Sequence, residues 1–356
     1  MFFTQTVGLM LAPLLVDLSY EFDISVAAAG QLAAATFAAW ALSVISVGPI
    51  SDSFGRRPVA VAGMGLLGIS VLASSFATNL ETLFALRIVT GLCGGMIPPN
   101  SMAAVADVLS PANRAKAFGL LMAVASLSGV VGVPLVAIMT SGGGWQVPFI
   151  VIGSSLLLCS VLHWLWYPKI QKSGPQDFSF IGRYRHMASI SVFRSALAAN
   201  FLQRMAFYAT FSYLAAYLIS EHGLEVGETA LPLAIVGIGV VIGSTMAGTV
   251  AGMRRRASMV AICSLIGGLT ALFIFSFDIT TWGTVGVALV GITFISIGWP
   301  TFLAMSTAIS GNSQATAVGM LGASNQLGGV GGAAFGGAVL ALSIIPILPF
   351  RQRLTC

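Results

Sequence analysis

The sequence predicts an all-α membrane protein made of two pseudo-symmetric six-helix bundles, and three observations carry that expectation. Of 356 residues, 57% are hydrophobic and only 8% are charged, against roughly 25% charged in soluble domains. Long apolar stretches recur from end to end, each near the ~20 residues that a helix needs to cross a hydrocarbon core about 30 Å thick. A shift of 200 residues lays one half of the chain on the other.

Composition also excludes several classes. A disordered chain would lack this apolar content. Cys93, Cys159, Cys263 and Cys356 have no CxxC spacing, and with only three His they form neither a disulfide framework nor a zinc site. No metal or cofactor is expected. The net charge of +5 comes from sixteen scattered basic residues, and a nucleic-acid partner would need them clustered on a face.

Spans are read near 1–18, 25–50, 58–78, 82–106, 116–140, 146–167, 195–219, 229–251, 258–277, 282–308 and 316–342, with a stub at 343–350. The runs are continuous, whereas outer-membrane barrel strands alternate polar and apolar over about 10 residues. Charges sort by side. Arg56, Arg57, Arg114, Lys116, Lys169, Lys172, Arg183, Arg185, Arg194 and Arg254 to Arg256 all fall in even-to-odd connections. The opposite connections hold only acids: Asp17, Glu21, Asp23, Glu81, Glu221, Glu225, Glu228 and Asp278. Basic loops stay in the cytoplasm, so the first helix starts there. No basic n-region or small-residue cleavage site marks residues 1–18 as a signal peptide.

The polar stretch from Tyr167 to His186 is the one long interruption. It divides the chain into an N-terminal bundle at 1–168, a cytoplasmic linker at 169–193 and a C-terminal bundle at 194–356. The 200-residue offset superposes Gly48 to Arg56 on Gly248 to Arg256 and Gly91 on Gly291. Between Ser110 to Gly132 and Ser310 to Gly332, ten of 23 positions are identical without a gap.

Between spans 2 and 3 lies Gly48-Pro-Ile-Ser-Asp52-Ser-Phe-Gly55-Arg56-Arg57. Gly55 permits a turn with positive φ. Asp52 is unfavourable at the carboxyl end of its own helix and should seek another helix's amino terminus. The loop resembles the signature loop of the major facilitator superfamily: Gly, three residues, Asp, two residues, Gly, then two basic residues. Ser53 departs from the basic residue that many relatives carry. The resemblance implies the major facilitator fold, with Asp52 facing the start of span 11 near Ser310 to Thr316. It also implies that Arg56 links Asp52 to Asp107 in a cluster that breaks when the cytoplasmic gate opens.

Arg87 lies inside span 4, where a charge is costly and usually faces a cavity or a partner. Leu83, Arg87, Thr90 and Gly91 match the family's helix 4 motif, which implies a coupling role; snorkelling to the headgroups is the structural alternative. Arg204 in span 7 fits snorkelling or cavity lining equally, and Thr4 holds the equivalent place in span 1. Span 7 also carries Phe201, Phe207, Tyr208, Phe211, Tyr213 and Tyr217. In the family, helices 1, 4, 7 and 10 line the central cavity, so Arg204, Phe207, Tyr208 and Phe211 are the expected substrate-binding residues. Packing is the alternative for the aromatic stripe.

Gly328, Gly332 and Gly336 have the small-residue spacing that lets helices approach closely, and are expected to smooth the contact between halves. Gly129 and Pro134 keep part of an exporter motif, while Val133 and Ala137-Ile138 depart from it. Gly63, Gly65 and Gly68 fit GxGxxG, but within a span this cannot be a dinucleotide loop. No ATP-binding loop GxxxxGK[ST] is present, so a gradient must drive transport. Asp17, at the outer end of span 1, is read as either a proton acceptor or an interfacial charge.

The offset maps span 6 onto 346–367, whereas the sequence stops at Cys356 with Arg351 and Arg353 close by. Eight apolar residues reach about 12 Å as a helix, so the twelfth helix is expected to be truncated, as in a fragment or frameshifted product of a longer gene. The resemblance to bacterial drug and metabolite carriers implies a monomer in the inner membrane. It would move a small amphipathic solute by alternating access, by proton-coupled efflux. Uptake of an organic anion is the alternative, and from another class a non-transporting receptor or inactive fragment. An enzyme would need a catalytic cluster, and none is visible.

Overall fold

The computed structural model describes residues 1–109, 111–167, 180–277, 279–309 and 314–351. All regular structure among them is helical. The first span is two helices, α1 (Phe2–Leu9) and α2 (Leu15–Glu21), joined by a tight turn at Ala12–Leu14 that contains Pro13. α3 (Val26–Phe54) opens on Ser25, whose Oγ accepts from the Ala28 N–H at 3.1 Å. It closes at Gly55 with φ 94°, a conformation nearly reserved for glycine. α4 (Arg56–Ser74) follows at once.

Span 4 is split into α5 (Leu80–Gly94) and α6 (Ile97–Val108). Pro98 and Pro99 open α6, and prolines withhold the N–H groups that would continue the preceding helix. Span 5 is α7 (Pro111–Leu127), a wide π turn at Ser128–Gly132, and α8 (Val133–Gly143). Pro134 accounts for that turn, since it has no N–H for the carbonyl four residues back. Next come α9 (Gln146–Trp166), α10 (Phe180–Ser189), α11 (Ser191–His222), α12 (Ala230–Ala251) and α13 (Arg256–Ser276). α14 (Thr281–Ser296), α15 (Gly298–Ile309) and α16 (Gln314–Arg351) complete the chain.

The repeat is visible in these boundaries. α4 begins at Arg56 and α13 at Arg256, while the breaks before Ile97 and Gly298 interrupt spans 4 and 10 alike. Asn79 and Thr280 cap the equivalent helices α5 and α14 in the same way.

Among the described residues, nine segments are long and apolar enough to cross a membrane. α11 is not one of them. Its 32 residues span about 48 Å, but Arg194, Asn200, Gln203 and Arg204 make it too polar for that class. The expected stub at 343–350 requires a correction: α16 continues through it without a break. That expectation came from symmetry with span 6, whereas helix continuity is decided locally. The linker also contains α10, while residues 168–179 lie outside the described residues.

The glycines show how the helices approach. A Cβ at Gly68 would meet the Leu157 backbone nitrogen at 2.9 Å, and one at Gly153 the Leu72 nitrogen at 2.7 Å, so α4 and α9 are in near backbone contact. This absorbs the GxGxxG run as packing. A second correction concerns Gly328, Gly332 and Gly336. They face Phe201, Arg204, Met205, Tyr208 and Tyr213 of α11, within the second repeat. The contact between repeats uses the adjacent row, with Gly329 against Phe37 and Gly337 against Ala27 of α3, together with Gly237 of α12 against the Gly129 carbonyl. Two glycine rows on one helix face two partners, and sequence spacing alone does not separate them. Leu66, Ile69, Leu158, Leu265, Leu269 and Leu272 remain exposed, forming the apolar outer belt that lipid would cover.

Candidate functional site

The loop at one end of the bundle assembles around Gly55. Its positive φ ends α3 and turns the chain directly into α4, which places Arg56 beside α6. Arg56 Nε donates to Asp107 Oδ2 at 3.0 Å, and its Nη1 donates to the Ser51 hydroxyl. Asn100 Nδ2 holds the Arg56 carbonyl at 3.0 Å. Arg57 donates to the Trp164 carbonyl, tying the loop to the end of α9. Tyr167 is close to both members of the ion pair, and burial pushes its hydroxyl above the ordinary value while Arg56 opposes this. Gly48 lies in the last two turns of α3. The side chain of Asp52 and residues 310–313 are outside the described residues, so the expected contact between them is too.

Arg87 is fully buried in α5. Its Nη2 donates to Ser74 Oγ at 2.6 Å, at the end of α4. Its guanidinium lies 5.0 Å from the ring centre of Phe149 in α9, a cation–π contact. Nε and Nη1 have no hydrogen-bond partner. The expected alternative of snorkelling does not apply to a fully buried side chain; Arg87 points among α4, α5 and α9 of the first repeat. Gly91, one turn further on, lets α5 lie on α3: a Cβ there would collide with the Thr36 carbonyl.

Asp17 lies at the opposite end from the Arg56 loop. It lines an open hollow of about 650 Å³ with Glu21, Thr140, Trp145 and Glu225. Trp145, on the lining of this hollow, meets Phe149 edge-to-face at 5.8 Å, and the Phe149 ring in turn meets Arg87.

The third group lies near the middle of α11. Arg204 is only 8% exposed, so snorkelling is ruled out for it as well. Its Nε donates to Gln203 Oε1 at 2.7 Å. Gln203 in turn donates to the Ile295 carbonyl at the break between α14 and α15, so the helix break anchors the residue that orients Arg204. The guanidinium lies 4.7 Å from the centre of the Phe207 ring, and its Nη2 has no partner. Phe207 stacks on Phe211 at 5.6 Å and 5°. Tyr208 packs on Phe37 of α3 at 4.6 Å, with the Asn325 side chain of α16 beside it. Thr4 is also buried, with its hydroxyl unpartnered.

The structure thus joins Arg204, Phe207, Tyr208 and Phe211 into one cluster where α11, α16 and α3 meet, and keeps Arg87 and Asp17 apart from it. Comparison with known proteins identifies the family. Residues 1–333 match the sequence profile of the Major Facilitator Superfamily. The chain belongs to the Major Facilitator Superfamily. Proteins of this superfamily are transporters rather than enzymes. The chain is 24% identical to the uncharacterized MFS-type transporter YceJ of Bacillus subtilis (strain 168), over 95% of this chain and 86% of that protein. It is 24% identical to the gallate transporter of Pseudomonas putida, covering 93% of this chain and 82% of the relative. Its fold superposes with a TM-score of 0.76 on a bacterial homologue of the human lysosomal transporter Spinster in an inward-facing and occupied conformation, at 18% identity over 94% of this chain and 79% of that one.

Sequence reasoning missed Gln203, Phe37 and Asn325 as parts of this superfamily member's inner cluster. A usable signal existed for two of them. Gln203 and Asn325 are polar amides inside apolar spans, where each uncapped polar group is expensive.

Proposed function

We propose that this chain is a secondary carrier for a small organic anion, working by alternating access with Arg204 as the anchor for the substrate carboxylate. The observation that carries the reading is the buried Arg204 guanidinium, held by Gln203 and Phe207, with Nη2 unpartnered. No acidic side chain pairs with it among the described residues. A buried cation without a counter-ion is costly, and an anionic substrate relieves that cost when bound. The aromatic surface of Phe207, Phe211 and Tyr208 suits the apolar part of such a molecule. The relative named for gallate, itself a carboxylate, supports the same class.

Uptake of an anion into a negative-inside cell runs against the potential, so the carrier would bring protons with it. Asp17, half-buried beside the open hollow, is the proposed proton acceptor. The one-sided distribution of basic loops supports an amino terminus in the cytoplasm of a bacterial inner-membrane protein. Arg56 and Asp107 supply a latch between α4 and α6 at the proposed cytoplasmic gate.

The test is uptake of small carboxylates, including benzoate and gallate, into proteoliposomes under an imposed acid-outside gradient. Accumulation of a carboxylate is expected. Arg204→Gln should raise the half-saturating concentration about 10- to 100-fold, the loss of one charge-assisted hydrogen bond. Transport of lipophilic cations with no carboxylate uptake would overturn the anion reading in favour of amphipathic-drug efflux.

A further inference from the structure

The break in span 10 is tied to Arg204 through Gln203. α14 ends at Ser296 and α15 begins at Gly298, and Pro300 has no N–H to offer the Ser296 carbonyl. Gln203, 3% exposed, reaches this break from α11. Its Nε2 donates to the Ile295 carbonyl, and its Oε1 accepts from Arg204 Nε at 2.7 Å. The amide presses on Gly298, where a Cβ would meet its Nε2 at 2.7 Å and its Cδ at 2.8 Å. The break itself does not require this tie. The 200-residue offset sets Phe3 and Thr4 at the equivalent places of the first repeat, and span 4 breaks before Ile97 with a phenylalanine in the place of the amide.

A guanidinium receives a carboxylate on two parallel N–H groups, and Nε and Nη2 share one such edge. Here Nη2 is buried without a partner, while Nε is held by Gln203. A carboxylate that takes the whole edge therefore displaces Gln203 Oε1.

We propose that Gln203 senses whether the site is occupied: in the empty site it clamps the break between α14 and α15 to Arg204, and a carboxylate that takes both nitrogens of Arg204 releases the clamp. This rests on the organic-anion reading above and adds how binding reaches the helices. α15 packs on α11, α12, α13 and α16, all in the second repeat, so a bend at the released break is local to that repeat. Gln203 touches no substrate atom and acts through Arg204 and the Ile295 carbonyl.

The experiment compares wild type, Gln203→Met and Gly298→Ala, each as the full chain in detergent, by calorimetric titration with benzoate and by hydrogen exchange across residues 294–302. Circular dichroism serves as the folding control. Methionine keeps the volume but leaves Arg204 Nε unsatisfied in the empty site, so benzoate should bind to it about 3- to 10-fold more tightly than to wild type. A glutamine that merely oriented Arg204 would give the opposite result, weaker binding to the variant. Benzoate should speed exchange at the break in wild type, whereas Gln203→Met should exchange fast with or without it. Gly298→Ala, whose added Cβ pushes the amide off the break, should reproduce the fast exchange. If wild type binds benzoate but Gln203→Met binds it more weakly, or benzoate leaves exchange at the wild-type break unmoved, the sensor falls and the carboxylate anchor stands. If benzoate does not bind folded wild-type protein, the organic-anion reading falls and the sensor with it. The wild-type exchange comparison decides the matter even if neither variant folds.

Discussion

Arg87 and Arg204 are both buried, and the contrast between them lies in what each touches. Arg204 is oriented by Gln203 at the meeting point of both repeats. Arg87 has one hydroxyl, one ring and two idle nitrogens, all within the first repeat. Such a charge is a poor source of stability, because replacing a buried ion with an apolar group of similar size is often neutral or stabilising by about 1–4 kcal/mol. Arg87→Met should therefore keep or raise the melting temperature in detergent while abolishing coupled transport. Ser74→Ala should lower that temperature, since it strips the remaining partner from a buried charge at a cost of about 1–3 kcal/mol or more. A melting temperature that collapses in Arg87→Met would instead make the arginine a structural strut. Both arginines were legible in the sequence as charges inside spans. Their surroundings were not, because Ser74 and Phe149, which meet Arg87, and the Ile295 carbonyl that holds Gln203 beside Arg204 come from other helices.

Helices here are joined by few polar ties and many close backbone contacts. The latch between α4 and α6 consists of Arg56 and Asp107, 17% and 31% exposed. Ion pairs this wet contribute about 0–1 kcal/mol. Asp107→Asn should thus leave the melting temperature unchanged within a few degrees and slow transport several-fold. Equal rates for variant and wild type would remove the latch from the mechanism. The loop that presents Arg56 was readable from spacing alone, because Gly55 has to take a positive φ for α3 to end and α4 to begin within one residue. The glycine rows were harder. Gly328 and Gly329 are neighbours in sequence yet meet different helices, and periodicity says that a helix face is small without saying whose face it meets.

At the scale of the molecule, two repeats offset by 200 residues meet along α3 with α16 and along the α7–α8 π turn with α12. The charge map is the basis of the proposed orientation, which labelling tests. Met253→Cys, in the basic connection, should react with a membrane-impermeant maleimide only from the cytoplasmic side. Leu224→Cys, in the acidic connection, should react only from outside, and reversed labelling would invert the topology.

Membrane residence, the number of most spans, the repeat and the signature loop were determined by the sequence itself. Hydrophobic length, side-specific charge and glycine geometry are local properties that a chain carries before it packs. The tertiary structure decided the rest. Arg87 turns into its own repeat and Arg204 into the seam, Phe37 of α3 packs on Tyr208 of α11, and α16 runs unbroken through the expected twelfth-helix stub. Which helix lies across from a side chain is a non-local fact, and in an apolar bundle the worth of a polar group depends almost wholly on the partner it meets there.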